Sequence, residues 1–193
     1  MLGSGVRMSR SATSLVRLVL LASAAALFAC SSAPRRPDGQ VGLLPVGAEA
    51  PDVEAVDASG TVTHLASLRG QPVVVYFYPA DGTPGCTKEA CAFRDAWTKL
   101  QSAHVAIVGV SSQSRESHVA FEKEHHLPFP LVADENGTAQ RAYGVSKGLF
   151  GYSRVSFLVD AAGRVAKVWP DVDPALHADE VLGAASALPA RTP

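Results

Sequence analysis

The chain has 193 residues, enough for one ordinary domain with a substantial core and an additional extension. Its formal net charge of −1 gives no reason to expect binding to nucleic acid. Three cysteines are too few for a disulfide scaffold, and one of them belongs to the N-terminal segment, which leaves a pair in the domain.

Residues 1–29 are typical of an export signal. Several arginines precede an uncharged run from Leu18 to Ala29, which is too short for a comfortable membrane span and suits the apolar part of a signal peptide. The run ends in Leu27-Phe28-Ala29-Cys30, which resembles the bacterial lipoprotein box. This resemblance implies cleavage before Cys30 and lipid attachment to its sulfur. The alternatives are an ordinary secretory signal or an uncleaved anchor, in which Cys30 has no role.

Residues 30–43 are predicted to form a lipidated N-terminus followed by a flexible tether. The segment is polar and rich in Pro and Gly, so it is expected to bury little apolar surface. A flexible coil of about a dozen residues spans roughly 20 Å, which would hold a domain just off a bilayer. Ser31 stands where an Asp would retain a lipoprotein at the inner membrane, so the resemblance favours the outer membrane, facing the periplasm. A disordered terminus without a purpose is the alternative.

Residues 44–190 are predicted to form one domain, in which strands interleave with helices before a terminal hairpin and helix. This order indicates an α/β sandwich with a mixed β-sheet. The expected strands are 53–56, 61–64, 73–78, 104–110, 129–132, 155–160 and 164–169. The expected helical segments are 65–69, 84–100, 115–125, 138–143 and a last helix that opens at 173–174 and stops before 189.

The most informative stretch is a strand, loop and helix start between Val73 and Cys91. Its apolar, aromatic-rich first part indicates a central strand covered on both faces. Thr83 is a suitable N-cap and Pro84 a suitable first helical residue, which puts Cys86 in the first turn of the helix. The unpaired N–H groups and the dipole at a helix start favour an anion, so Cys86 is expected to be a reactive thiolate.

From about residue 46 to residue 188 the chain closely resembles the peroxiredoxins, and within them the bacterioferritin-comigratory-protein or peroxiredoxin Q subfamily. The family signature Pro-x3-Thr-x2-Cys is met by Pro79, Thr83 and Cys86. Further matching segments are 47–52, 76–79, 83–91, 109–111, 129–131 and 157–160. The resemblance implies a thioredoxin-like α/β sandwich with a central mixed sheet flanked by helices, and no cofactor or metal.

The same resemblance implies a thiol peroxidase that reduces hydrogen peroxide and organic hydroperoxides. Cys86 is the expected peroxidatic nucleophile, oxidised to a sulfenic acid, and Arg154 aligns with the arginine that stabilises its anion. The Thr83 hydroxyl is expected to donate to the thiolate or accept from the peroxide, and Pro79 to shield the pocket from water. Cys91 is the candidate resolving residue. A thioredoxin-like or other dithiol is the expected reductant, and the protein is expected to act as a monomer.

The spacing of the two cysteines requires a conformational change. Five residues of helix separate Cα atoms by about 8.5 Å, whereas a disulfide needs less than about 7 Å. The helix start from Pro84 to Cys91 is therefore expected to unwind after oxidation. Because the apolar face begins near Ala90, the earlier turns are expected to bury little and to open readily.

Two other functions remain open at this point. The first is an exported thioredoxin-like thiol–disulfide oxidoreductase or copper-delivery protein, although that class uses Cys-x2-Cys or Cys-x3-Cys and this chain has Cys-x4-Cys. The second is a non-catalytic surface lipoprotein with a structural disulfide. The six histidines have no metal-ligand spacing. One departure from the subfamily is Ser156, which stands beside Arg154 where threonine is usual and bears on local hydrogen bonding.

Overall fold

The structure is a computed structural model that describes residues 33–56 and 60–189, so the expected signal peptide and Cys30 lie outside the described residues. The strands are β1 (Glu54–Val56), β2 (Val62–His64), β3 (Val73–Phe77), β4 (Ala106–Ser111), β5 (Leu131–Ala133), β6 (Lys147–Gly148), β7 (Gly151–Tyr152), β8 (Val155–Val159) and β9 (Val165–Trp169). The α-helices are α1 (Pro84–Asp95), α2 (Trp97–Ser102), α3 (Arg115–His125), α4 (Thr138–Tyr143) and α5 (His177–Ser186), and Leu65–Leu68 forms a 3₁₀ turn.

A five-stranded mixed sheet forms the centre, in the order β5-β4-β3-β8-β9. Strand β3 runs parallel to β4, which runs parallel to β5, whereas β8 is antiparallel to both β3 and β9. Every residue of β3 is buried, because both faces of the sheet are covered. The predicted α/β sandwich with a central mixed sheet is confirmed.

Each face of the sheet carries its own hydrophobic core. On one face Tyr76 packs with Phe93 of α1, Phe121 of α3 and Val181 of α5. On the other face Phe77 packs with side chains of α4, of the β6–β7 hairpin and of the 3₁₀ turn. This alternation follows from the period of two along a strand, which sends successive side chains of β3 to opposite faces.

Three of the differences from the predicted element boundaries have a visible structural cause. The helix expected over 84–100 is two helices, because the backbone at Ala96 leaves helical geometry with φ −84° and ψ 0°. Strand β4 begins later than expected, after a tight turn in which His104 adopts a left-handed φ of 53°. The last helix begins at His177 rather than at residue 173, because the Asp173 carboxylate accepts from the backbone N–H of Ala175 and first closes a separate turn.

Residues 33–43, expected to be part of a flexible tether, form a hydrogen-bonded turn packed on the domain. The buried Arg36 guanidinium pairs with Asp38 at 3.0 Å and donates to the carbonyl oxygens of Gly42 and Leu43. Gly144 at the end of α4 lies so close to this turn that a Cβ there would overlap the Gly42 carbonyl. The arginine satisfies the carbonyls of the turn, which explains why so polar a segment is held in place.

Within the described ranges, no helix combines the length and apolar character needed to cross a membrane.

Candidate active site

The sheet register brings two distant parts of the chain together at one end of β3. Phe77, the last residue of β3, pairs with Val155, the first residue of the antiparallel strand β8. The loop after β3, which leads into α1, therefore lies beside Arg154, the residue just before β8. This placement carries the candidate nucleophile and the candidate cation to the same site.

Cys86 is the third residue of α1, whose first residue is Pro84 as the sequence predicted. Its side chain is 1% exposed. The Nη2 atom of Arg154 lies 3.3 Å from its sulfur and donates a hydrogen bond to it. The sulfur therefore lies at a helix start with a guanidinium bonded to it, and both groups interact favourably with an anion.

Glu89 holds the other side of the same guanidinium and was missed by the sequence reasoning. Its carboxylate is fully buried, and its Oε2 atom forms an ion pair with Nη1 of Arg154. Burial raises the pKa of Glu89 from 4.5 to about 7, although Arg154 opposes the shift. Its second oxygen, Oε1, has no hydrogen-bond partner among the described residues. The i,i+3 spacing from Cys86 on one helix face was the available signal.

Arg154 is thus held between two acidic groups. Burial lowers its pKa, but the charges of Glu89 and Cys86 raise it by more, so the guanidinium remains a fixed cation. One nitrogen faces each partner, which uses the fork geometry of the side chain.

Thr83 occupies the predicted N-cap position of α1, but its side chain makes no capping bond. The hydroxyl instead donates to the Ala80 carbonyl at 3.0 Å. In this conformation the proton of Thr83 is committed within the loop, whereas the lone pairs of its oxygen can still accept. The expectation that Thr83 donates to the thiolate is therefore not met here, and its accepting role remains available.

Pro79 contacts the β6–β7 hairpin, another feature that the sequence did not indicate. Gly151 of β7 has φ +110°, and a Cβ there would overlap the Pro79 carbonyl oxygen. The absence of a side chain lets the hairpin lie directly on the active-site loop.

Cys91 lies half-buried at the start of the third turn of α1, and both domain cysteines are free thiols. The Arg94 guanidinium interacts with the Cys91 sulfur. The expectation that the first turns bury little is wrong, because Cys86, Glu89 and Ala90 are all at most 1% exposed. An intact helix still holds the two cysteines too far apart for a disulfide.

Ser156, the noted departure from the subfamily, makes a hydrogen bond of 2.8 Å between its Oγ and Nε2 of His177. Both side chains are buried. Burial, helped by the positive charges of Arg154 and Lys167, lowers the pKa of His177 from 6.5 to about 4. His177 is therefore a neutral side chain at pH 7, packed against the rings of Phe93 and Trp169.

Across residues 33–56 and 60–189, no group of three or more His, Cys, Asp or Glu side chains is arranged to hold a metal ion.

Comparison with known proteins agrees with this geometry. The sequence model of the AhpC/TSA family matches residues 46–168. The chain is 42% identical to peroxiredoxin Q of Sedum lineare over 83% of this chain and 88% of the plant protein. It is 40% identical to the putative peroxiredoxin bcp of Coxiella burnetii over 72% of this chain and 97% of that protein. The structure superposes on peroxidoxin BcpB of Mycobacterium tuberculosis with a TM-score of 0.71 and 33% identity, covering 76% of this chain and 99% of the other.

Proposed function

The chain belongs to the AhpC/TSA family, in its peroxiredoxin Q or bacterioferritin-comigratory-protein branch, and we propose that Cys86 is the nucleophile of its thiol peroxidase activity. The proposal is carried by the position of the Cys86 sulfur, at the start of α1 and 3.3 Å from Nη2 of Arg154. This geometry suits a stabilised thiolate, which is the reactive form of cysteine.

In the first step the thiolate attacks the terminal oxygen of the peroxide. The S–O bond forms as the O–O bond breaks, the sulfur becomes a sulfenic acid, and the other oxygen leaves as hydroxide or alkoxide and takes up a proton. Arg154 and the backbone N–H groups of the helix start face the region in which this negative charge moves. The Thr83 oxygen accepts a hydrogen bond from the O–H group of the peroxide, and Pro79 limits the access of water.

Two cysteine variants test this assignment. Cys86→Ser is expected to abolish reaction with peroxide, whereas Cys91→Ser is expected to consume one equivalent and stop at the sulfenic acid. Rapid mixing with one equivalent of hydrogen peroxide measures both outcomes. A Cys86→Ser protein that reacts at the original rate would refute the assignment.

Cys91 is proposed to attack the sulfenic sulfur, which forms the S–S bond and releases water. Because five residues of helix keep the Cα atoms about 8.5 Å apart, α1 must unwind between Pro84 and Cys91 first. Phe93 is buried in the core and would hold the later part of α1 in place. Hydrogen exchange on the reduced and disulfide forms tests this step. Equal protection of the amides between Cys86 and Cys91 in both forms would contradict unwinding.

The substrates proposed are hydrogen peroxide and organic hydroperoxides, reduced by a monomer that a thioredoxin-like or other dithiol recycles. In support, a solved relative, the bacterioferritin comigratory protein of Xanthomonas campestris, is described for its alkyl peroxide reduction activity. That structure has a TM-score of 0.66 and 33% identity, over 76% of this chain and 98% of the other. Mixed disulfides trapped on Cys86 in a Cys91→Ser variant would identify the reductant.

The lipid anchor is a separate proposal, supported by the sequence alone. Residues 1–29 would be removed, Cys30 would carry the lipid, and the domain would face the periplasm from the outer membrane. Several acyl chains on one residue would hold it firmly, where a single chain anchors only marginally. The intact mass of the mature N-terminus tests this. An unmodified Cys30 thiol, or a chain that begins elsewhere, would contradict it.

A further inference from the structure

A buried polar cluster ties the active-site loop to helix α3. Asp81 lies in this loop, and its side chain is 7% exposed. Its carboxylate accepts hydrogen bonds from the hydroxyls of Tyr78 at 2.7 Å and Ser117 at 2.6 Å, and from Nδ1 of His118 at 2.8 Å. The backbone N–H of Asp81 donates to the side-chain oxygen of Gln113. Every one of these contacts fixes the same residue of the loop.

Both ring nitrogens of His118 lie within hydrogen-bond distance of an acceptor. Its Nε2 atom lies 3.0 Å from the Val132 carbonyl oxygen, which can only accept. Its Nδ1 atom faces Asp81. Although burial raises the pKa of Asp81, hydrogen bonds from His118 and Ser117 lower it by more, so the carboxylate is ionised and can only accept. Both ring nitrogens of His118 therefore contact acceptors, and with 1% exposure the ring pairs with the Asp81 carboxylate in the protein interior.

We propose that His118 is a positioning residue for peroxide reduction, because its ion pair with Asp81 fixes the loop from Pro79 to Thr83, which leads directly into the helix start that carries Cys86. The proposal rests on the proposed role of Cys86. It goes beyond that role by naming the contact that holds the peroxide pocket in shape.

The geometry explains why this contact governs the pocket. His118 links three elements: its ring is carried by α3, its Nε2 atom bonds the carbonyl of Val132 in β5, and its Nδ1 atom bonds the loop. Thr83 follows Asp81 by two residues, and its hydroxyl is bonded within the loop to Ala80. A displacement of Asp81 is therefore transmitted to Thr83 through only two residues of backbone. The cation of Arg154, in contrast, is held by Glu89 and does not depend on this loop bond.

This independence supplies a readout that distinguishes positioning from mere stability. Reaction with hydrogen peroxide needs the pocket, whereas alkylation by iodoacetamide needs only the Cys86 thiolate. His118→Leu is expected to slow the peroxide reaction by about tenfold to hundredfold while alkylation changes by less than about threefold, since misplacement by an ångström has effects of that size. His118→Asn returns a donor toward Asp81 and is expected to recover part of the loss. Both measurements are made on a Cys30→Ser, Cys91→Ser background, so that Cys86 is the one remaining thiol.

Phe121→Leu is the matched control. Phe121 is on the same helix, 3% exposed, and packs in the core without contacting Asp81 through a hydrogen bond. It is expected to lower the urea midpoint while both Cys86 rates stay near those of the parent. Ser117→Ala, which removes one bond to Asp81 and leaves the charges in place, covers the case in which His118→Leu does not fold. It is expected to slow the peroxide reaction several-fold, a smaller effect than that of His118→Leu.

A double-mutant cycle gives the second test. Asp81→Asn and His118→Leu both remove the ion pair, so the double variant is expected to be no slower with peroxide than the slower single variant. Additive losses of peroxide rate in the double variant would overturn the proposal. Peroxide and alkylation rates that fall together in His118→Leu would also overturn it. So would His118 and Ser117 variants whose Cys86 rates match those of Phe121→Leu. None of these outcomes bears on Cys86→Ser, which tests the proposed function separately.

Discussion

Replacing Glu89 with glutamine is expected to change how the stability of the protein depends on pH. The Glu89 side chain is fully buried, and only one of its two oxygens is paired. Burial raises its pKa in the folded protein to about 7, against a reference value of 4.5. Between these two values the folded protein binds one proton more than the unfolded chain. A glutamine keeps the shape and the acceptor oxygen but does not titrate.

The sign and size of this pH dependence follow from the linkage between proton binding and folding. Because the folded pKa is raised, the stabilisation from the protonated carboxyl is complete below pH 4.5 and is lost as pH rises to 7. The slope is about −1.4 kcal/mol per pH unit, so the free energy of unfolding changes by about 3 kcal/mol across the window. The stability of Glu89→Gln relative to the parent should rise by this amount between the two pH values.

His177 contributes a slope of opposite sign in nearly the same window. Because burial lowers its pKa from 6.5 to about 4, its contribution is present above pH 6.5 and is lost as pH falls to 4. In the parent protein the two slopes largely cancel. Glu89→Gln leaves the slope of His177 alone, so the variant is expected to lose stability steeply in acid.

Urea unfolding of the reduced protein in steps from pH 4 to 7.5 measures the difference. The subtraction of variant from parent cancels the groups that both proteins share. Glu124→Gln, whose parent side chain is 73% exposed on α3, is the matched control. If the difference in unfolding free energy between Glu89→Gln and the parent stays constant from pH 4.5 to 7, Glu89 is ionised throughout the window. The effect of Arg154 on the pKa of Glu89 then outweighs that of burial.

Three further substitutions follow from contacts at the site. Arg154→Ala should slow the reaction of Cys86 with peroxide about tenfold to hundredfold, because a charge-assisted hydrogen bond is lost; an unchanged rate in stopped flow would refute its role. Gly151→Ala should lower the free energy of unfolding by about 1–3 kcal/mol or more through overlap with Pro79, as urea would measure. Tyr76→Phe removes a buried hydroxyl that has no partner among the described residues, so stability should stay constant or rise slightly, and a marked loss in urea would reveal a missed partner.

Strong local signals in the sequence were sufficient to predict the bounds of some helices. The bounds of α3 and α4 match the prediction, since Ser114 caps the first and a left-handed Gly144 ends the second. The break at Ala96 was not predictable, because no Gly or Pro marks it. It coincides with the start of α2 at Trp97, whose ring packs 6.0 Å from that of Phe129, a contact set by the tertiary fold.

The site residues, too, could be predicted where the signal was local in sequence and not where it depended on distant residues. Cys86 was found from a cap, a proline and a signature within one short segment, and Arg154 only through the family resemblance, because it is 68 residues away in sequence. Glu89 was not singled out from the sequence, since the burial of its carboxylate depends on an arginine that the sequence pattern does not locate. Asp81 and His118 are 37 residues apart, and each has an ordinary solvated interpretation in the sequence.

The first turns of α1 are buried, so their proposed opening needs another physical cause than a lack of buried surface. Sequence reasoning attributed easy opening to a lack of buried surface, but Cys86 and Ala90 are buried, and opening exposes both. Glu89 offsets part of this cost, because its carboxylate is buried with one oxygen unpaired and regains contact with water when the helix unwinds. Since the folded protein holds this carboxyl protonated below pH 7 and charged above it, opening costs least at the higher pH. In the proposed mechanism, the residue that anchors Arg154 during peroxide attack would therefore also lower the cost of bringing Cys91 to the sulfenic acid.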